Sequence, residues 1–140
     1  MKRSLLTILT VITWQLAMAQ TNPIPNYDFE NWTGTTLNNW YASSVAGCTK
    51  STTAHSGSFA LRMTPWNSSS YGANAYTPSS GQAFQLGGLY PTALTGWYMA
   101  NFASGDQLQI DVSVYSGGGG TGTGVAFINT SASAYTQFTV

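Results

Sequence analysis

The chain has 140 residues, of which 6% are charged and 14% aromatic, and four Lys and Arg balance four Asp and Glu. Lys2 and Arg3 fall in a leader, so beyond it Lys50 and Arg62 stand against Asp28, Glu30, Asp106 and Asp111, a formal charge of −2. That balance argues against nucleic acid, which calls for clustered Lys and Arg, and one Cys with one His rules out an internal disulfide and a thiolate zinc site.

Lys2 and Arg3 precede an apolar run from Leu5 to Trp14, and Ala17-Met18-Ala19 supplies the small residues that a signal peptidase reads. Residues 1–19 are therefore predicted to be a signal peptide cleaved before Gln20. The run is shorter than the roughly 20 apolar residues of a membrane span. A secreted or outer-cell-surface location follows, with no membrane insertion once the leader is gone. Residues 20–140 are enough for one domain with one core.

After the leader no stretch keeps a helical apolar period, while Ser, Thr, Gly, Asn and aromatics abound, so the domain is predicted to be all-β. Asn26 to Trp32 reads as the first strand, with Asp28 and Glu30 on one face and Tyr27, Phe29 and Asn31 on the other. Asn38-Asn39-Trp40-Tyr41 begins the second. Cys48 reads as a small buried hydrophobe, intermolecular pairing being the alternative. From Ser58 to Trp66, Phe59, Leu61 and Met63 alternate inward and Arg62 points outward, with Trp66 just past Pro65. The polar loop that follows carries Tyr71 and Tyr76, a composition suited to adaptable recognition or to a plain surface loop.

Leu94 to Phe102 sends Leu94, Tyr98, Ala100 and Phe102 to one side and Thr95, Trp97, Met99 and Asn101 to the other. Gln107 to Tyr115 does the same with Leu108, Ile110, Val112 and Val114 against Gln109, Asp111, Ser113 and Tyr115. Ala103-Ser104-Gly105-Asp106 reads as a hairpin turn between them, which would set Trp97 opposite Asp111 or Ser113. An indole beside a carboxylate suits a sugar: the ring takes the C–H face of a pyranose and Asp accepts from its hydroxyls. Packing of Trp97 under a loop or against another domain is the alternative. Gly117 to Gly124 lacks the Gly-Lys-Ser/Thr ending of a phosphate loop and reads as a flexible connection to strands at Val125–Ile128 and Tyr135–Val140.

Asn26-Tyr27-Asp28-Phe29-Glu30-Asn31-Trp32, Trp40, then Ala54-His55-Ser56-Gly57-Ser58-Phe59-Ala60-Leu61 together resemble the opening half of secreted bacterial jelly-roll modules of the galactose-binding-like, carbohydrate-binding type. Leu94-Thr95-Gly96-Trp97-Tyr98 and Tyr135 to Val140 resemble their continuation in exported proteins of Bacteroidetes. The likeness covers most of the chain beyond the leader; each motif is short, and their order and spacing carry it. It implies a jelly-roll β-sandwich of about eight strands in two sheets. Because Tyr135–Val140 stops in mid-pattern, the last strand or strands are expected to be missing, with further domains of the same protein possible.

The resemblance also implies that Trp40 belongs to the core and that a structural calcium is held by Glu30 and by carbonyls at Ser56 and Gly57. A third ligand, an Asp near the C-terminus, has no counterpart here. A surface or capping role is the alternative for Glu30. His55 reads as a turn residue hydrogen-bonded to backbone.

Catalysis has little support: there is no Gly-x-Ser-x-Gly elbow and no nucleophile to partner the single His. The expected function is thus a non-catalytic module binding a polysaccharide or glycan through Trp97, Asp111, Arg62, Trp66, Tyr71 and Tyr76. A structural or adhesive β-sandwich without a glycan ligand is the alternative.

Overall fold

A computed structural model describes residues 22–42, 47–64, 72–78, 84–88, 91–115 and 121–140. About 47% of these residues are in strands and none is helical, so the chain is all-β as its composition implies. The strands in chain order are β1 (Trp32–Thr33), β2 (Thr36–Leu37), β3 (Tyr41–Ala42), β4 (Cys48–Ser51), β5 (Ala60–Met63), β6 (Ala75–Tyr76), β7 (Thr95–Ala100), β8 (Leu108–Tyr115), β9 (Thr121–Ile128) and β10 (Ala132–Thr139). They form five antiparallel pairs: β1 with β2, β3 with β6, β4 with β5, β7 with β10, and β8 with β9.

The opening run Asn26–Trp32 is not the strand its alternation suggested. Asn26 and Phe29 have φ of 50° and 59°, and the Phe29 N–H donates to the Asn26 carbonyl at 3.1 Å, closing a turn. Asn tolerates this left-handed backbone because its short amide bonds locally. Asn26 Nδ2 donates to the carbonyls of Asn31 (3.0 Å) and Asn38 (2.8 Å), while its Oδ1 accepts from the Asn31 N–H at 2.9 Å. One side chain thus replaces a strand ladder. Asp28 and Glu30 accordingly do not share a strand face; Asp28 Oδ1 accepts from the Glu30 N–H in a local turn.

The tryptophans of this region brace the turn. Trp40 donates its indole N–H to the carbonyls of Pro25 and Asn26, and its ring meets Phe29 at 5.0 Å between centroids. Trp32 donates to the Phe29 carbonyl. Trp40 lies in the turn between β2 and β3, where Asn39 has φ of 66°, so the strand expected from Asn38 starts three residues later, at Tyr41, as β3. Leu37, 2% exposed, is the one buried hydrophobic residue among those described.

Alternation is obeyed in the later strands. Gly96, Tyr98 and Ala100 of β7 are half-buried while Thr95, Trp97 and Met99 are exposed, and Leu108, Ile110, Val112 and Val114 of β8 alternate with exposed Gln109, Asp111, Ser113 and Tyr115. The turn after β7 is also present: the Asp106 N–H donates to the Ala103 carbonyl at 3.0 Å, with Gly105 at φ 90°. It does not, however, close a hairpin. It carries the chain from the β7–β10 pair to the β8–β9 pair, since alternation fixes which face a residue takes and says nothing of which strand lies alongside.

Two glycines sit inside strands for packing reasons. Gly96 lies opposite Phe138, whose ring occupies the place of a Cβ. Gly124, expected in a flexible connection, belongs to β9, where a Cβ would come within 2.9 Å of Val140. The β7–β10 ladder continues through reciprocal Leu94–Val140 backbone bonds of 3.0 and 2.8 Å.

Candidate functional site

The outward face of β7 and β10 gathers the side chains best suited to a ligand. Trp97 stands directly opposite Gln137. The ladder is regular from Thr95↔Thr139 to Tyr98↔Thr136 and resumes at Ala100↔Ala132, so Ser133, Ala134 and Tyr135 together oppose Met99. Such a bulge re-aims side chains and bends the strand. Here it turns Tyr135 toward the loop after β4, where its hydroxyl donates to the Thr53 carbonyl at 2.8 Å.

That loop brings His55 onto Trp97. The two rings stack at 4.0 Å and 10°, and His55 meets Tyr135 edge-on at 5.6 Å and 71°. With one face covered by a near-parallel ring, Trp97 still exposes 47% of its surface. The tryptophan is therefore a platform fixed from behind, partly covered by a loop yet not buried beneath it.

Glu30 fixes the same loop. Its Oε1 accepts from the Ser58 and Phe59 N–H groups, each at 2.8 Å. Gly57, at φ 70°, packs so closely on that oxygen that no side chain fits. The acidic residue and the Ser56-Gly57 turn are thus brought together, as a carboxylate capping backbone donors. Calcium takes six to eight oxygen ligands, whereas this turn aims N–H groups at the one carboxylate present, and among the described residues no three of His, Cys, Asp and Glu converge. For the calcium that the resemblance implies, this leaves Glu30 Oε1 already occupied by two N–H donors.

The other expected ligand residues are dispersed over different strand pairs. Asp111 lies on β8 opposite Val125, and both its oxygens accept from Gln109 Nε2 at 3.0 and 3.1 Å. It does not oppose Trp97, because β7 and β8 are not paired. Arg62 is exposed on β5 opposite Thr49 of β4. Tyr76 is exposed on β6, stacked on its cross-strand partner Tyr41 at 4.8 Å and 20°. Trp66 and Tyr71 lie outside the described residues. Lys50, the other cation beyond the leader, holds its ammonium 3.7 Å from the Phe59 ring centroid and 5.8 Å from that of Trp32.

The chain matches no known protein family, curated protein or solved structure.

Sequence reasoning missed His55, Tyr135 and Gln137 as neighbours of Trp97. For Gln137 the signal was present, since Tyr135 to Val140 read as a strand; what was lacking was its partner. The His55 stack depends on the bulge and on the Glu30 cap, neither of which leaves a local pattern.

Proposed function

We propose that the chain is a non-catalytic carbohydrate-binding module of an exported bacterial protein, with Trp97 as its principal ligand contact. The observation that carries this reading is the exposed Trp97, backed by His55 and flanked across the strand by Gln137. A pyranose offers an apolar C–H face and a rim of hydroxyls. The first matches an aromatic plane and the second an amide that both donates and accepts. Pre-ordering by His55 and Tyr135 lowers the entropic cost of holding the ring for a ligand.

The jelly-roll module that the sequence resembles is the architecture we propose for these antiparallel pairs. The predicted leader supports export to the outside of the cell. Tyr41 and Tyr76 form a second exposed aromatic pair; like Asp111 and Arg62, they belong to other strand pairs and are not included in the Trp97 contact.

A structural or adhesive role is the second reading, favoured by a different observation. On the outward face of β8–β9, Val125 (51% exposed) and Phe127 (60%) form an apolar patch that would suit contact with a neighbouring domain. A glycan-array screen of the purified protein beside Trp97→Ala separates the two. Saturable binding that the variant loses supports the module; a folded protein that binds no glycan leaves the structural reading.

A further inference from the structure

Resting on the carbohydrate-binding reading, we infer that the site takes an internal stretch of a neutral, linear polysaccharide, laid along β7 from Trp97 into the groove at the end of the strand.

Met99 is the link. It follows Trp97 on the same outward face of β7 and also lines an open groove of about 480 Å³, with Ala100, Asn101, Ser131, Ala132 and Ser133. The groove adjoins the bulge, where three residues of β10 face Met99 alone before the ladder resumes at Ala100↔Ala132. Its far wall is held in place: the Phe102 N–H donates to Ser131 Oγ at 2.8 Å, and the Tyr98 hydroxyl to the Thr130 carbonyl at 3.3 Å. Platform and groove are therefore parts of one fixed surface.

Its dimensions and chemistry select the ligand. Trp97 to Asn101 spans ~13 Å at the rise of a strand, the length of two to three linked hexoses and more than a single sugar fills. The groove is open to solvent rather than an enclosed cavity, as an internal stretch of a polymer requires. Trp97, Gln137, Met99, Asn101, Ser131 and Ser133 offer an indole, a thioether, amides and hydroxyls but no charge, on a groove whose surface is mainly apolar. A polymer bearing carboxylates or sulfates would find no Lys or Arg on this path to offset its desolvation, whereas neutral hydroxyls meet donors and acceptors.

The test is calorimetric titration of the purified protein with cello-, xylo- and manno-oligosaccharides of two to six residues, their parent polymers, and alginate as the anionic control. Affinity for one neutral series is expected to rise on the order of tenfold with chain length, equivalent to ~1.4 kcal/mol, and to level off by the tetramer, with no binding of alginate. Ser133→Arg, which lays a long side chain across the groove, is expected to bring the ratio of longest to shortest oligomer close to one. Binding that Trp97→Ala abolishes, but that does not depend on length or survives Ser133→Arg with its length dependence intact, overturns this inference and leaves the module reading standing. Preference for alginate overturns it likewise. No binding of any glycan overturns both.

Discussion

Gly57→Ala tests how the site is held. The new Cβ meets two obstacles: a φ of 70°, which costs a non-glycine residue about 1 kcal/mol, and Glu30 Oε1, which already fills the space. Moving the carboxylate breaks its bonds from Ser58 and Phe59. Bonds to a charged group contribute roughly 1.5–3 kcal/mol each; the lower figure applies because Ser58 is exposed. The substitution should therefore cost about 4 kcal/mol, a large part of the 5–15 kcal/mol typical of a domain. Glu30→Ala alone should cost about 3 kcal/mol by the same bonds. In the double variant the carboxylate is absent, so Gly57→Ala adds only its backbone penalty of about 1 kcal/mol. Urea denaturation followed by far-ultraviolet circular dichroism measures all four corners of this cycle. Additive costs, or a Gly57→Ala cost below about 1 kcal/mol, would refute the Glu30 cap.

Three further outcomes are expected. Asn26→Ala removes three side-chain bonds and a residue tolerant of positive φ, and should destabilise by about 2–4 kcal/mol in the same denaturation assay; a loss under 1 kcal/mol would contradict its role as the organiser of the opening turn. His55→Ala should change Trp97 emission by removing the ring stacked on it, and should weaken glycan binding by about 0.5–1.5 kcal/mol, the worth of an aromatic pair; unchanged emission would contradict the stack. Chelation with EDTA should leave the thermal midpoint unchanged, because N–H donors already satisfy Glu30 Oε1; a midpoint that falls on chelation and recovers with calcium would restore a metal at this turn.

The faces of β5, β7 and β8 were legible in the sequence because burial on one side of a strand imposes a period of two on the side chains. Arg62, Trp97 and Asp111 are exposed as that period requires. Strand partners were not legible. The Ala103–Asp106 turn has the composition of a hairpin, yet β7 takes β10 as its partner from more than thirty residues away. Local turn chemistry is compatible with either outcome, and the choice lies in contacts such as Phe138 over Gly96.

The opening run was misread for a related reason. Tyr27, Phe29 and Asn31 alternate with Asp28, Glu30 and Trp32 as a strand would, but the Asn26 amide finds the carbonyl of Asn38, twelve residues on, and stabilises a turn instead. Proximity of Glu30 to the Ser56-Gly57 turn did follow from the resemblance; which groups the carboxylate meets there did not. Gly122 and Gly124 suggested flexibility by composition, whereas both are taken into β9.

The central claim is that the exposed ring of Trp97 receives a sugar. Its most direct test is the indole N–H spectrum of the protein titrated with the glycan selected on the array, the Trp97 resonance being assigned by its loss in Trp97→Phe. Saturable movement of that resonance is predicted, with the Trp40 resonance, tied to the Pro25 and Asn26 carbonyls, staying still. Binding that leaves the Trp97 resonance in place would contradict the account.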